Sequence, residues 1–278
     1  MPIHDQGYRR YAGRRRPPGT AWWVIARQQI RTVLSQKRFL LLLILAWLPF
    51  VGRVGQIYLA ANFQQAAFLA TSAQLFRGFL AFQSLFVFLL IVGASGAIAD
   101  DRRANALQVY LSKPLTRVEY IVGKLFAPLA FVLSVTLLPA LLLLLVHVAF
   151  AGSLTFVTQN LYLLPAIVLY SVTLGMLGTF TMVALSSLSK SRRFTALTYT
   201  GLFFFTSALY QALRNITGSR LWALMSPRDL IEVIGDAAFR MPGQRALPLW
   251  AALLGVTAMV GASVLVLERR IRGVEVVK

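Results

Sequence analysis

The sequence predicts an all-α polytopic membrane protein. It has six transmembrane helices, an N-terminal amphipathic interfacial helix and a short cytoplasmic helix between spans two and three. Three observations predict this. Of the 278 residues, 58% are hydrophobic and only 13% charged, against roughly 25% charged in an average soluble domain, and mean hydropathy is +0.68. The apolar residues gather into six runs, each near the roughly 20 residues a helix needs to cross a hydrocarbon core. The Lys and Arg residues divide unequally between the two sides those runs define.

The elements follow in order. Residues 1–19 carry Arg9, Arg10, Arg14, Arg15 and Arg16 among Pro and Gly. They read as a disordered basic tail beside anionic headgroups, where each charge contributes about 1 kcal/mol close to the surface. The apolar segment that follows starts too late and runs too long for a cleavable signal. Residues 20–38 form the interfacial helix, with Thr20 as its N-cap. Trp22, Trp23, Ala26, Ile30, Val33 and Leu34 recur on one face, and Arg27, Gln28, Arg31, Ser35 and Lys37 take the other, the pattern of a helix lying in the membrane surface.

The spans are read as Phe39–Leu59, Phe79–Ala99, Leu125–Phe150, Leu161–Ser187, Phe194–Leu213 and Leu247–Leu267. Lipid cannot satisfy open backbone groups, so the runs are helices; they are also too evenly apolar for barrel strands. Of the 28 Lys and Arg residues, 21 fall on the side of the two termini and seven opposite. Both termini are therefore placed in the cytoplasm, on a multi-pass protein of the inner (plasma) membrane, with residues 268–278 as a cytoplasmic tail. The formal net charge of +19 has the same origin, and nucleic acid is not among the partners read from it; membrane lipids are. Cysteine is absent and there are two histidines, which excludes disulfides, thiolate chemistry and a histidine-built metal site.

Between spans two and three lies "DDRRANALQVYLSKPLTRVEYIVGK", ending at Lys124. A short helix is read at about 103–112. Ala104, Leu107, Tyr110 and Leu111 fall on one face, Asn105, Gln108 and Ser112 on the other, and Pro114 ends it. An apolar stripe on a cytoplasmic loop needs lipid or protein against it. The segment resembles the first cytoplasmic loop of ABC exporter permeases of the type V class. That loop usually shows an acidic residue, Gly-Thr-Leu, a Leu-Leu pair, Ser, Pro, a basic residue and a final Gly-Lys. Asp101, Leu107, Tyr110–Leu111, Ser112, Pro114, Arg117 and Gly123–Lys124 occupy the matching places, and Asn105 and Ala106 replace the usual Gly-Thr. The six spans, cytoplasmic termini and interfacial helix extend the resemblance over nearly the whole chain.

The resemblance implies that the short helix is a coupling helix docking on a separate ATP-binding subunit, with Asp101, Arg103, Ala104, Leu107, Gln108, Tyr110, Leu111 and Pro114 at the docking face. It implies a second permease copy, identical or paralogous. ATP and magnesium would belong to the partner subunit, with no cofactor on this chain. "IVGKL" is not a phosphate-binding loop: no Gly stands five residues before Gly123, and no Ser or Thr follows Lys124. In the resembling family spans two and five line the path, which nominates Phe82, Phe86, Tyr199, Phe203 and Tyr210 and a hydrophobic or amphipathic substrate. Some such permeases instead transmit force to a periplasmic partner without moving a solute. Spans two to six as read contain no Asp or Glu, so no ion relay of the kind that drives coupled transporters is visible.

Three further features have competing readings. In the external loop at about 214–246, "SPRDLIEVIGDAAF" opens with an N-cap Ser226, Pro227 at the first helical position and Asp229 in the first turn. It is a short helix that either covers span ends at the surface or, as the resemblance implies, dips into the outer leaflet and helps close the exit. Ser171, Gly175 and Thr179 with Gly178 permit close helix contact in span four, for packing inside the subunit ahead of a dimer seam. "GASG" at Gly93–Gly96 matches the nucleophile pattern of rhomboid intramembrane proteases. Its Ser95 lies near the inner end of span two and His147 near the outer end of span three, too far apart for a nucleophile and its base. No catalytic residue is assigned. A non-catalytic membrane scaffold would lack an ATPase partner altogether.

Overall fold

The computed structural model describes residues 19–63, 72–106, 115–151, 158–241 and 247–271. They are helical and contain no strand. The elements are α1 (Ala21–Leu34), α2 (Lys37–Asn62), α3 (Ser72–Gly93), α4 (Ala99–Arg103), α5 (Arg117–Val135), α6 (Leu137–Ala151), α7 (Leu163–Leu188), α8 (Arg192–Thr217), a 3₁₀ turn (Leu221–Met225), α9 (Pro227–Ala238) and α10 (Leu249–Arg270). Among the described residues, five stretches are long and apolar enough to cross a membrane: Lys37–Asn62, Ala73–Gly93, Arg117–Phe150, Leu163–Leu188 and Leu249–Arg270. The run read as span five forms a helix longer than expected, α8. It begins at N-cap Ser191 and ends at Gly218 with φ 69°. Its Thr, Tyr and Gln residues leave it less apolar than the other five.

Two boundaries shift for physical reasons. α3 starts at Ser72, seven residues before the expected Phe79, and stops at Gly93 instead of Ala99. Two glycines in four residues weaken the helix there, and Ser186 captures the freed backbone: its Oγ accepts from the N–H groups of Ile98 and Ala99 (3.0 and 2.9 Å) and donates to the Ser95 carbonyl (2.8 Å). The third apolar run is two helices, broken at Thr136. Pro139 has no N–H for the Val135 carbonyl, and its ring crowds that turn.

α7 is the centre of the bundle. Its small residues serve packing inside the subunit. A Cβ on Gly175 would stand 2.9 Å from Leu129, and one on Gly178 would stand 2.3 Å from Ile91 and 3.3 Å from the Tyr199 hydroxyl. The main core runs along α7 through α2, α3, α6 and α9. A smaller core at the α1 end holds Ile98, Tyr120, Val183 and Leu267. Pro49 of α2 has no N–H for the Leu45 carbonyl, and beside it the fully buried Gln83 of α3 donates to the neighbouring Ala46 carbonyl at 2.8 Å.

Candidate functional site

At the α1 end, α4 is a one-turn helix held from outside itself. Besides the Ser186 cap, Arg102 donates to the Ser187 carbonyl and Arg192 donates to the Gly93 carbonyl at 2.6 Å. Asp101 turns inward. Its Oδ2 lies 2.6 Å from Lys124 Nζ and accepts from the hydroxyl of the fully buried Tyr120 at 2.7 Å. Lys124 also sits over the Tyr120 ring, 5.6 Å from its centre.

α5 opens with a capping box: Thr116 Oγ1 accepts from Glu119 N–H at 3.2 Å, and Glu119 Oε2 accepts from Thr116 N–H at 2.9 Å. Glu119 Oε1 also accepts from Ala21 N–H at 3.4 Å, joining the start of α1 to the same corner. α1 lies directly on α5 at Gly123, where a Cβ would stand 2.8 Å from both Ile25 Cβ and the Trp22 carbonyl. The Gly-Lys pair therefore has two mechanical tasks: Gly123 admits α1, and Lys124 anchors Asp101. Between α1, the 93–97 turn, α4 and α5 lies an open cavity of about 400 Å³.

The residues singled out from sequence fall as follows. Trp22 and Trp23 both pack edge-on against Phe126 of α5 (centroids 5.5 and 5.6 Å), while Arg27 and Arg31 are exposed. Arg103 and Ala104 are exposed at the end of α4. The short helix expected at about 103–112 is corrected at its start: α4 ends at Arg103, Ala104 is its C-cap, and Asn105 takes φ 53° before Ala106 resumes helical geometry. Asn is, after Gly, the residue that best tolerates this left-handed region, so Asn105 supplies a conformation the usual Gly would supply. Leu107, Gln108, Tyr110, Leu111 and Pro114 lie outside the described residues.

Of the nominated aromatics, Phe82 is 54% exposed and pairs edge-on with Phe86 at 5.9 Å. Tyr199 and Tyr210 are closed inside the subunit. Tyr199 stacks on Phe203 and on Phe88 of α3, and Phe203 meets Phe88 at a tilt; Phe88 is a residue the sequence reading passed over. Ser95 is buried and its carbonyl is bonded by Ser186, so GASG is a helix stop held by a hydrogen-bonded seat.

The family model for ABC-2 family transporter proteins matches residues 23–231. The chain belongs to the ABC-2 transporter family. No curated protein matches it. The match runs from within α1 to within α9, and so includes the whole corner around Asp101, Gly123 and Lys124. Members of the ABC-2 family are membrane components of transporters that usually work with an ATP-binding subunit, and are not themselves enzymes. This ABC-2 chain is accordingly a multi-pass membrane protein and an ABC permease.

A second cluster at the opposite end was not foreseen. Arg77 of α3, 7% exposed, reaches two carboxylates of α9. Its Nη2 lies 2.5 Å from Glu232 Oε2 and 2.9 Å from Asp236 Oδ1, and its Nε donates to Asp236 Oδ1 at 3.0 Å. The guanidinium lies 5.4 Å from the centre of the buried Tyr170 ring of α7. The sequence signal was there: Glu232 and Asp236 stand at i, i+4 on one helix face, and Arg77 abuts an apolar run.

Proposed function

We propose that this ABC-2 chain is the permease subunit of a type V ABC exporter. It works as a dimer with a second permease copy and is driven by a separate subunit that binds ATP and magnesium. The observation that carries the reading is the corner at the α1 end. The segment expected to dock on the ATPase emerges between two anchored points, α4 and the capped start of α5. Asp101 ties the first to the second through Lys124 and Tyr120, and α1 is seated on the same helix at Gly123. A push on the docking segment then reaches α5, α1 and α7 together.

α8 is the sixth span in this reading. Its 26 residues give a length of about 39 Å, and it packs against α3 and α7. Its lower apolarity suits a helix facing the path or the second copy. The Lys and Arg asymmetry puts both termini and the α1 corner in the cytoplasm. The aromatic group on α3 and α8 suits a hydrophobic or amphipathic substrate.

The test is a gentle pull-down of the tagged chain from its native membranes, with an ATPase assay and identification of what accompanies it. An ATP-binding subunit should co-purify and be lost in Leu111→Asp, which would bury an unpaired charge at the docking face. No such subunit, or undiminished association in the variant, would overturn the reading.

A further inference from the structure

Arg53 is a membrane-level cation without an anion. It stands on α2, sixteen residues or about 24 Å from Lys37 at the α1 end, where a hydrocarbon core is about 30 Å thick. Its Nη1 donates to Gln56 Oε1 at 2.7 Å. The ion pairs among the described residues involve Arg77, Arg103 and Lys124 instead. The chain has no carboxylate placed for it. Of the nine Asp and Glu residues, six lie at the α1 end or in the terminal segments. The three on α9 are engaged, Glu232 and Asp236 with Arg77 and Asp229 with Ser226. The segment 64–71 joining α2 to α3 contains none. Nor does the guanidinium stretch clear of the protein toward water, as a snorkelling arginine does. Its Nη2 lies against α3 at Gly78, where a Cβ would stand 3.1 Å away.

The guanidinium borders an open cavity of about 190 Å³ in the seam between α2 and α3, lined by Pro49, Gly52, Arg53, Gln56, Phe79 and Phe82. That is far more room than one water needs. Arg53 and Gln56 stand at the end away from α1. Toward the bilayer centre the seam turns apolar: Leu45 and Leu48 lie one turn before Pro49 and Gly52 on α2, Leu85 and Leu89 follow Phe82 on α3, and all five apolar side chains are exposed. α2 is the least buried of the membrane-length helices, so the seam opens to lipid. We propose that it holds one anionic phospholipid of the bilayer, with the phosphate on Arg53 and the acyl chains along Leu48, Phe82 and Leu85. A guanidinium pairs with phosphate oxygens in a fork, and Arg53 has further N–H donors for them. No carboxylate stands by to answer an ammonium group, so a lipid of net negative charge fits better than a zwitterionic one. Phe82, nominated for the path, then faces the bound lipid. The site stands apart from the permease reading.

The test is photo-crosslinking. The full chain with its co-purifying partners is placed in phosphatidylcholine nanodiscs. These carry a trace of phosphatidylglycerol or of phosphatidylcholine, each with a diazirine near the head of one acyl chain. Crosslinked peptides are read by mass spectrometry. Phosphatidylglycerol should mark the stretch Phe79–Leu85 about tenfold more than phosphatidylcholine, the worth of a charge-assisted hydrogen bond. Arg53→Gln should abolish that preference, and Arg53→Lys should keep part of it. Gly52→Leu leaves Arg53 in place and fills the cavity, since a Cβ at Gly52 meets nothing within 4 Å. It should abolish the preference too, and serves if Arg53→Gln does not fold. Equal marking by the two lipids would overturn the site. A preference that survives Gly52→Leu would also overturn it, because Arg53 would then be attracting bulk headgroups only. With the ATP-binding subunit present, marking should persist under Mg-ATP with vanadate. Its loss there would overturn the resident lipid in favour of a transported anionic amphiphile. Absence of that subunit would overturn the permease reading, while the comparison of the two lipids would still decide the site.

Discussion

The two ends of the molecule solve the same problem differently. Each buries an arginine or lysine against carboxylates beside a tyrosine. At the α1 end the partners, Asp101, Tyr120 and Lys124, lie within 23 residues of one another. They tie consecutive segments, and α4 is further pinned through Ser186 and Arg102. At the α9 end the partners of Arg77 are 155 and 159 residues away, on a separate short helix that follows directly on the 3₁₀ turn Leu221–Met225. The difference teaches that clusters of like chemistry can do different work: one rivets neighbouring segments, and the other joins helices far apart in the chain.

The largest effect should distinguish the two. Arg77→Ala strands Glu232 and Asp236, two carboxylates one turn apart, at the seat of a nearly buried guanidinium. It should lower the stability of the purified chain by about 3 kcal/mol, read from thermal unfolding in nanodiscs. Lys124→Ala leaves Asp101 with the Tyr120 hydroxyl, beside the open cavity that Asp101 and Lys124 line, so its loss should be the smaller, about 1–2 kcal/mol. A larger loss in Lys124→Ala than in Arg77→Ala would reverse this order.

A pair of methyl groups sharpens the contrast. Gly123→Ala drives a Cβ to 2.8 Å from the Trp22 backbone carbonyl, which cannot give without moving α1. It should cost about 1–3 kcal/mol in the same unfolding measurement. Gly235→Ala meets Tyr170 and the guanidinium of Arg77, side-chain ends and no backbone, so its loss should be the smaller. A loss in Gly235→Ala equal to that in Gly123→Ala would make the Arg77 seat as unyielding as the α1 seat.

The helices were legible because apolar period and span length are properties of a single run of residues. So was the start of α9, because Ser226, Pro227 and Asp229 are neighbours. The smallness of Gly175 and Gly178 pointed correctly to helix contact inside the subunit. The start of α3 was misjudged because Arg77 looked like the edge of an apolar run. Its charge is neutralised by residues on α9, and no local pattern carries that pairing. The break at Thr136 was hidden inside a long apolar stretch that carries two prolines, Pro139 just past the break and Pro128, which the helix accommodates. Gly123–Lys124 stood out as a motif, but its two tasks depend on α1 and α4, which reach it from other parts of the chain. The capping box of Thr116 and Glu119 was readable and was overlooked in favour of Pro114 before it.

The smallest effect concerns the joint between α4 and the docking segment. Asn105 holds φ 53° where the family usually has Gly. If the residue is there for its backbone conformation, Asn105→Gly should change unfolding and ATPase association by no more than a few tenths of a kcal/mol, since Gly adopts this region freely. Asn105→Val places a branched Cβ in the same region and should cost about 1–2 kcal/mol. In the pull-down it should weaken the ATP-binding subunit's hold by redirecting the segment beyond Ala106, with Lys124 and Asp101 still paired. Should Asn105→Gly be the damaging change, the side chain itself would be the functional group, and the joint would be a contact instead of a bend. That outcome would also blunt the comparison of the two ends, because the α1 end would then transmit force through a surface it presents to its partner and not through the angle at which it delivers the docking segment.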